Sequence, residues 1–559
     1  MSTSLVAIPG ASSAAERSTR RGRGVGLALG TLLGIGVQGS LGAVLAQGVA
    51  PAVGTNVQLG DLRRTFQRAY EGQPAIGTRS WTVTPSIDLQ QTFTDNARGL
   101  GTSDRSGSEL ITTLTPGIVI QGDTARLRGT LGYAPQLSAY ANSPRQNGIA
   151  QNLFANGRAT IFENLLFLNA TAYAAEQSRN GGLGTTANNN VSRNDRVQTT
   201  SFSIGPLLQY RFGDIGMAEA GYTYSHLTQT GRTVAQDTPF APALSNRPTT
   251  TKAAHVGFTS GQEFGRLNFG VLARRINYDG TGVLKNAHRN SEVVDLGYAV
   301  SRTVTLVGEI GHEDIRYGGI TPVRINGLLW SVGVRWNPDP DTRITVRYGR
   351  RDGGNSVSFD GITAPTARTR LAGRYSEGVS TGAEDLQNAI AGADLDAFGA
   401  PVDRATGTPL VLANNFGGAQ GGVSRVRRAS LSATLLQEID VFSLSLQRDE
   451  RRLLSANTPA AAGTAGAASA TTSLNAILAW QRELAPGLRG NAAVSYGVRS
   501  AGGGFALTQE TLTFSTGVTY AFSETLSARS TYSYTSSSSN RAGFSYAMNL
   551  VTIGVHKSF

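Results

Sequence analysis

Arginines recur at even spacing in the middle of the chain, where residues 341–352 and 367–377 alternate between apolar and polar positions. A guanidinium group binds carboxylate, phosphate or sulfate through paired hydrogen bonds, so a row of these groups on one face would bind anions. The arginines at such positions, with one from a later stretch, are Arg343, Arg347, Arg351, Arg368, Arg370, Arg374 and Arg428. If the stretches are β-strands, even spacing places each set on one face.

Acidic residues in stretches of the same kind offer a second interpretation. Asp295, Glu309 and Glu313 lie upstream, where the sequence alternates in the same way. Cross-strand ion pairs between these acids and the arginines would stiffen the interior, whereas unpaired arginines would attract an anionic solute. The residues alone leave both the anion path and the structural ion pairs open.

The elements that must position these arginines are long alternating segments. In residues 81–93, apolar Trp81, Val83, Ile87, Leu89 and Phe93 share one face, and polar residues occupy the other. Segments of this length exceed the 5–6 residues of an average soluble strand and match the roughly 9–11 residues of a tilted strand that crosses a bilayer. We count about 22 such segments, within a range of roughly 18 to 24.

The connections between segments alternate between two kinds. Tight turns such as Gly122-Asp123 and Pro338–Pro340 are followed by long polar connections such as 178–196 and 378–422. This layout predicts an all-β fold: one large transmembrane antiparallel β-barrel over 81–559, with short periplasmic turns and long extracellular loops. An arginine facing lipid at the bilayer midplane would cost about 2–4 kcal/mol, so the predicted arginines should face the lumen.

The predicted barrel places the chain in the outer membrane of a Gram-negative cell. Outer-membrane lipid and lipopolysaccharide are then expected partners. The barrel-assembly machinery is a third, because the segment from Met548 to Phe559 alternates and carries a terminal aromatic residue.

The N-terminal residues read as a targeting segment. Basic residues from Arg17 to Arg23 precede an uncharged apolar stretch over 25–44, and Val44-Leu45-Ala46 suits a signal peptidase. We predict a signal peptide over 1–46, with a retained transmembrane helix as the alternative. Residues 47–80 would form a periplasmic segment, in which Asp61–Tyr70 is either a short amphipathic helix or part of a disordered tether.

The longest connection, 378–422, contains the helix-forming stretch Glu384–Ala391. Long connections in barrels are usually functional or disordered. Two arrangements are open: the connection folds into the lumen and narrows it, or it stays outside as a mobile loop.

The composition argues against other classes of function. The chain has no cysteine, and its five histidines are scattered without metal-ligand spacing, so we predict neither a metal site nor a cofactor site. Asp394 and Asp396 lack the further ligands that a cation needs. The net charge is +12, but the basic residues are dispersed and not clustered with aromatics, which argues against nucleic-acid binding. No nucleophile motif is present, and we predict no enzyme.

Several stretches resemble a known family, the outer-membrane β-barrel porins associated with exopolysaccharide export and PEP-CTERM/exosortase loci. The resembling stretches are 83–99, 111–120, 164–178, 205–225 and 374–381. The resemblance implies a porin-like channel for export or passage of surface polysaccharide or anionic solutes, with polysaccharide or periplasmic export components as partners. It implies no catalytic residues. The alternatives are a general anion-preferring diffusion porin and a structural or adhesive barrel with a closed lumen.

Overall fold

The computed structural model describes ten stretches of the chain. They are residues 81–96, 107–178, 196–231, 248–391, 393–395, 401–403, 422–456, 470–502, 507–540 and 545–559. The predictions for 1–46, for 47–80 and for a helix over Asp61–Tyr70 lie outside the described residues.

The barrel is one antiparallel sheet of 24 strand segments. Two of its strands are interrupted, so the wall has 22 strands, as the alternation predicts. In chain order, β1–β22 are Trp81–Thr94, Glu109–Asp123, Leu127–Tyr133 with Gln136–Tyr140, Gly148–Ala150 with Leu153–Phe162, Leu166–Ser178, Arg196–Arg211, Gly216–Gly231, Thr249–Ser260, Leu267–Asp279, Ala287–Ala299, Val304–Tyr317, Val323–Trp336, Arg343–Arg351, Gly354–Thr366, Thr369–Thr381, Gly422–Leu436, Asp440–Ala456, Ala470–Ala485, Leu488–Gly502, Leu507–Ala521, Leu526–Ser539 and Tyr546–Ser558.

Pairing between the first and last strands closes the barrel. Strand β1 pairs with β22 from Ser86 opposite Ser558 to Thr94 opposite Leu550. Every other barrel strand pairs with its neighbours in the chain, so the sheet leaves no open edge along its length.

Alternate side chains separate an apolar outer face from a polar inner face. Val83, Leu89 and Val256 are more than half exposed on the outside, as a lipid-facing surface requires. At the rim of short turns, a girdle of exposed aromatic residues surrounds the barrel: Trp81, Phe162, Phe212, Phe264, Trp336, Phe522 and Phe559. Aromatic girdles of this kind mark the interface between membrane and water.

The β13–β14 hairpin is short at the rim of long loops. Its turn is Asp352-Gly353, and both residues have positive φ, 51° and 71°. That conformation matches the twist of a two-residue hairpin, and Asp-Gly adopts it readily. The Glu313 carboxylate on β11 accepts both turn amides at 3.0 Å. Glu313 thus supports a turn instead of pairing with an arginine.

Helix α1, Gly382–Ala391, follows β15 without an intervening loop. A short ribbon of Ala393–Leu395 and Pro401–Asp403 comes next. Among the described residues, no helix has the length and apolar character needed to cross a membrane.

Candidate functional site

Helix α1 begins with a reciprocal cap. The Glu384 amide donates to the Thr381 hydroxyl at 3.3 Å, and the Thr381 amide donates to the Glu384 carboxylate at 2.6 Å. This arrangement is a capping box, in which the residues at the N-cap and N3 satisfy each other's free backbone donors. The cap ends strand β15 and fixes the direction in which the helix leaves it.

One face of α1 is apolar and packs against the inner wall. Leu386, Ala389 and Ile390 stand at the i, i+3, i+4 spacing of one helical face, and all three are buried. They pack with three large side chains on β4, β5 and β7: Phe154, Tyr173 and Leu227. The helix therefore lies inside the barrel, so this described part of the long connection folds into the lumen.

Beside this apolar face, α1 carries a buried ion pair. Arg451 on β17 donates to the Asp385 carboxylate at 2.7 Å, and both side chains are about 5% exposed. A second guanidinium, from Arg428 on β16, lies 3.6 Å from the same carboxylate. Breaking a buried pair by removing one partner costs about 3–5 kcal/mol, because the other charge is left without compensation. This contact therefore specifies the docked position strongly.

Polar contacts to three more strands complete the docking. The Tyr317 hydroxyl on β11 donates to Glu384 at 2.8 Å, and the Tyr278 hydroxyl on β9 donates to the same carboxylate oxygen. The Thr251 hydroxyl on β8 donates to the Gln387 side chain at 3.1 Å. With the contacts to β4, β5, β7, β16 and β17, the helix touches strands from well-separated sectors of the wall. The helix therefore occupies part of the cross-section of the lumen near the rim of long loops.

The ion pair sets the pH range over which α1 stays docked. Burial raises the pKa of the Asp385 carboxyl, but Arg451 and Arg428 outweigh burial and hold this pKa below its ordinary value. A carboxylate with a lowered pKa stabilises docking above its ordinary value of about 3.9, and this stabilisation is lost as pH falls through the lowered pKa. We expect constant conductance from pH 7 to about pH 5, with helix release only below about pH 4. Bilayer recordings across this range test it, and release near pH 6 would contradict it.

Two of the seven predicted arginines lie in one inner-face cluster with predicted acids. Arg347, 3% exposed, lies 3.1 Å from Asp295 and 3.5 Å from Glu309. Arg351, further along β13 on the same face, also pairs with Glu309. These contacts match the alternative of structural ion pairs, because each guanidinium already has a carboxylate.

Two more of the seven are paired in the same way. Arg374 on β15 donates to Asp360 on β14 at 2.8 Å, directly opposite in register. Arg428 donates to Asp449 at 2.7 Å in addition to its contact with α1. Together with Arg347 and Arg351, they form a neutralised inner wall at mid-height and towards the loop rim.

The remaining predicted arginines lie towards the rim of short turns. Arg343 and Arg370 are on the inner faces of β13 and β15, near the turn ends of these strands. Arg368 was expected on a strand, but it lies in the Ala367-Arg368 turn, because Thr366 pairs with Thr369 and leaves a two-residue hairpin loop between them. Arg335 on β12 was not predicted, yet it shares the inner face with Arg343. Within the described stretches, neither Arg335 nor Arg343 makes a salt bridge.

A second sector of the inner wall is rich in hydroxyl groups. Thr92 and Thr552 pair at 2.9 Å where β1 meets β22, and Thr513 and Thr535 pair at 3.2 Å between β20 and β21. Small polar groups that satisfy each other across strands keep this face hydrophilic without adding charge. The inner wall therefore has a charged sector and a hydroxyl sector.

Sequence reasoning missed the acids and arginine that hold the helix. Nothing local marks Asp385 and Arg451 as partners, because they come together only when β17 closes beside α1. The Thr381-x-x-Glu384 spacing of a capping box was a usable signal for the helix start. With that signal, the predicted helix would have begun at Gly382 instead of Glu384.

A known family matches the C-terminal part of the chain. Residues 451–559, covering β17's end through β22, match the sequence profile of the family described as "Putative beta-barrel porin 2". No curated protein matches the sequence.

Solved structures with a similar fold include three receptors or transporters. The FrpB iron transporter of Neisseria meningitidis (F3-3 variant) has 11% identity over 91% of this chain and 86% of its own, with a TM-score of 0.49. The ferric-catecholate import receptor Fiu of E. coli K12, in its open form, has 11% identity over 88% and 85%, with a TM-score of 0.46. The siderophore receptor PirA of Acinetobacter baumannii has 8% identity over 85% and 80%, also at 0.46. Likeness at this level carries no information about the solute.

Proposed function

We propose that this outer-membrane, porin-like β-barrel is a channel for anionic solutes, and that helix α1 constricts its lumen near the loop rim. The proposal rests on one observation: a helix is held inside the barrel, with its apolar face against one part of the wall and a buried ion pair and polar contacts to other strands. A barrel serving only as a structural or adhesive element has no need of such a helix. Because the wall strands pair with one another and not with α1, the helix can be released without dismantling the wall.

The inner charges support a preference for anions at the turn end. Arg335 and Arg343 share one inner face there, and no carboxylate within salt-bridge distance neutralises them among the described residues. Charge on the wall of a low-dielectric cylinder concentrates oppositely charged solutes at its entrance. By contrast, the paired arginines further along β13 contribute little net field. With short turns on the periplasmic side, anions would be gathered from the periplasm.

Acidic polysaccharide passing outward is the solute class that we favour within this function. Guanidinium groups at the entrance would contact its carboxylates or phosphates, and the hydroxyl sector would offer hydrogen bonds to sugar hydroxyls. The periplasmic location of the basic entrance fits export better than uptake. A general anion porin is the second candidate, favoured by the exposure of Arg343, which a small ion could reach as readily as a glycan.

Replacing Arg335 and Arg343 with glutamine tests the anion preference. We expect the reversal potential in a salt gradient to shift towards zero or cation preference, while the barrel keeps its stability, since neither arginine is in a salt bridge. The matched control is Arg374→Gln/Asp360→Asn, which removes a neutralised ion pair of the same inner wall and leaves the net charge of the wall unchanged. It should leave the reversal potential unchanged.

The choice of solute is tested with the same proteins in planar bilayers. Acidic oligosaccharide added on the turn side should block the wild-type current more strongly than a neutral oligosaccharide of equal length, and the Arg335→Gln/Arg343→Gln variant should lose this difference. Equal block by both sugars favours the general anion porin. Unaltered selectivity in the double variant would refute the role of this entrance.

A further inference from the structure

The outer face of the barrel carries a row of basic and amide side chains near the loop rim. Register places Lys252, Asn277, His288, Arg316 and Arg324 directly opposite one another across β8–β12, one residue per strand. We call these five residues the basic row. Each lies on the same face as exposed apolar residues of its strand, so the row faces away from the lumen.

Height along the strand places the basic row at the membrane boundary. Strand β11 has 14 residues, which is about 48 Å of chain at roughly 3.4 Å per residue. The apolar band of an outer-membrane barrel is only about 25 Å tall, so even a tilted strand projects beyond it. On the same face towards the turn rim, Val271, Ile310 and Val332 are about half exposed and apolar. The basic row therefore stands just above the apolar band, at the level of lipid headgroups.

Two arginines of the row face each other without a counter-ion. Arg316 and Arg324 are direct cross-strand partners, and both are exposed. Like charges in this position destabilise a sheet. Neither arginine makes a salt bridge or hydrogen bond to any side chain in the described part of the chain. An anion seated between them would relieve this repulsion.

Among the described residues, no acid on this face lies within salt-bridge distance of either arginine. Asp314 is engaged by His288, whose Nε2 lies 3.0 Å from the carboxylate. Glu292 lies opposite His312, and Asp279 lies opposite Thr250 on β8. The amide of Asn326 lies one step from Arg324 on the same face and adds a neutral donor.

We propose that the basic row binds the phosphate of a phosphorylated glycolipid in the outer leaflet, with Arg316 and Arg324 as the two main contacts. The basic row faces lipid and not the lumen, and its height along the barrel matches that of lipid headgroups. Guanidinium groups bind phosphate through charge-assisted hydrogen bonds. Lys252 extends the positive surface on one side for a second phosphate. The proposal is independent of what the lumen conducts.

Lipid A titration of delipidated barrel in detergent, read by native mass spectrometry, tests the site. The variant is Arg316→Gln/Arg324→Gln, and the matched control is Arg145→Gln/Arg211→Gln, which removes the same charge from two exposed positions outside the row. We expect diphosphorylated lipid A to bind the variant about 10- to 100-fold more weakly, with the control unchanged. Equal affinity of variant and wild type would overturn the proposal.

Two further measurements distinguish lipid binding from a purely structural role of the arginines and from binding of a free anion. Without lipid A, the variant should unfold at the same or a higher temperature than the wild type, because the repulsion is gone, and only the wild type should gain stability when lipid A is added. A variant that is unstable without lipid would show a structural role and overturn the site. Inorganic diphosphate that binds as tightly as lipid A would show a free-anion site and overturn the lipid assignment.

Discussion

Replacing residues 382–391 with a glycine–serine linker of equal length is expected to raise single-channel conductance severalfold. The replacement removes the apolar face that packs on Phe154, Tyr173 and Leu227 and the carboxylates that contact four strands. The wall stays intact, because its stability comes from 22 paired strands and not from α1. Conductance measured in planar bilayers should increase without loss of the heat-resistant folded form.

A control of the same kind distinguishes constriction from general loosening of the loop rim. The short 3-10 turn Pro144–Gln146 also lies at that rim, so its replacement by Gly-Ser-Gly alters a loop without touching α1. This change should leave conductance unaltered. Wild-type conductance in the α1 replacement would mean that the helix narrows nothing that ions cross, and the proposed constriction would fail.

The single substitution Asp385→Asn is expected to release α1 from the inner wall. The substitution leaves Arg451 buried without a carboxylate partner, whereas Arg428 keeps Asp449. Loss of about 3–5 kcal/mol would shift the balance between docked and undocked helix by roughly two to four orders of magnitude. Release costs less than opening the barrel, because local units unfold before the whole fold does.

Open-state lifetimes in single-channel records measure this shift, and protease access to the connection after α1 reports it independently. Glu450→Gln is the control, since Glu450 sits beside Arg451 in sequence but faces outwards. The double variant Asp385→Leu/Arg451→Leu should dock again, because an apolar pair of similar volume avoids the unpaired charge. If Asp385→Asn has the open-state lifetimes and protease access of the wild type, the ion pair does not hold the helix.

The wall could be predicted from the sequence because its causes are local. Alternation fixes which side chains face lipid, and turn residues such as Asp352-Gly353 fix where a hairpin reverses. The inward direction of Arg347 and Arg374 follows from the same alternation. These features depend on neighbours within a few residues, which any single sequence displays.

The partners of those arginines could not be predicted in the same way. Arg347 meets Asp295 across two intervening strands because of the register and curvature of the closed sheet. Nearby residues in the sequence determine neither the register nor the curvature. Four arginines that alternation alone assigned to an anion path are therefore in ion pairs, and the less compensated charge lies instead at Arg335 and Arg343. The docking of α1 against β4 and β17 is similarly a product of closure.

The placement of α1 also orders the events of barrel assembly. Leu386 lies in one buried cluster with Phe154, and Asp385 pairs with Arg451, so the helix joins parts of the chain made before it and after it. Hairpins form from nearby residues, whereas contacts over such sequence distances must wait until the intervening chain is in place. Helix docking is consequently a late step, and a newly inserted barrel passes through a more open stage before α1 narrows its lumen. Cells accumulating that stage would become sensitive to large antibiotics.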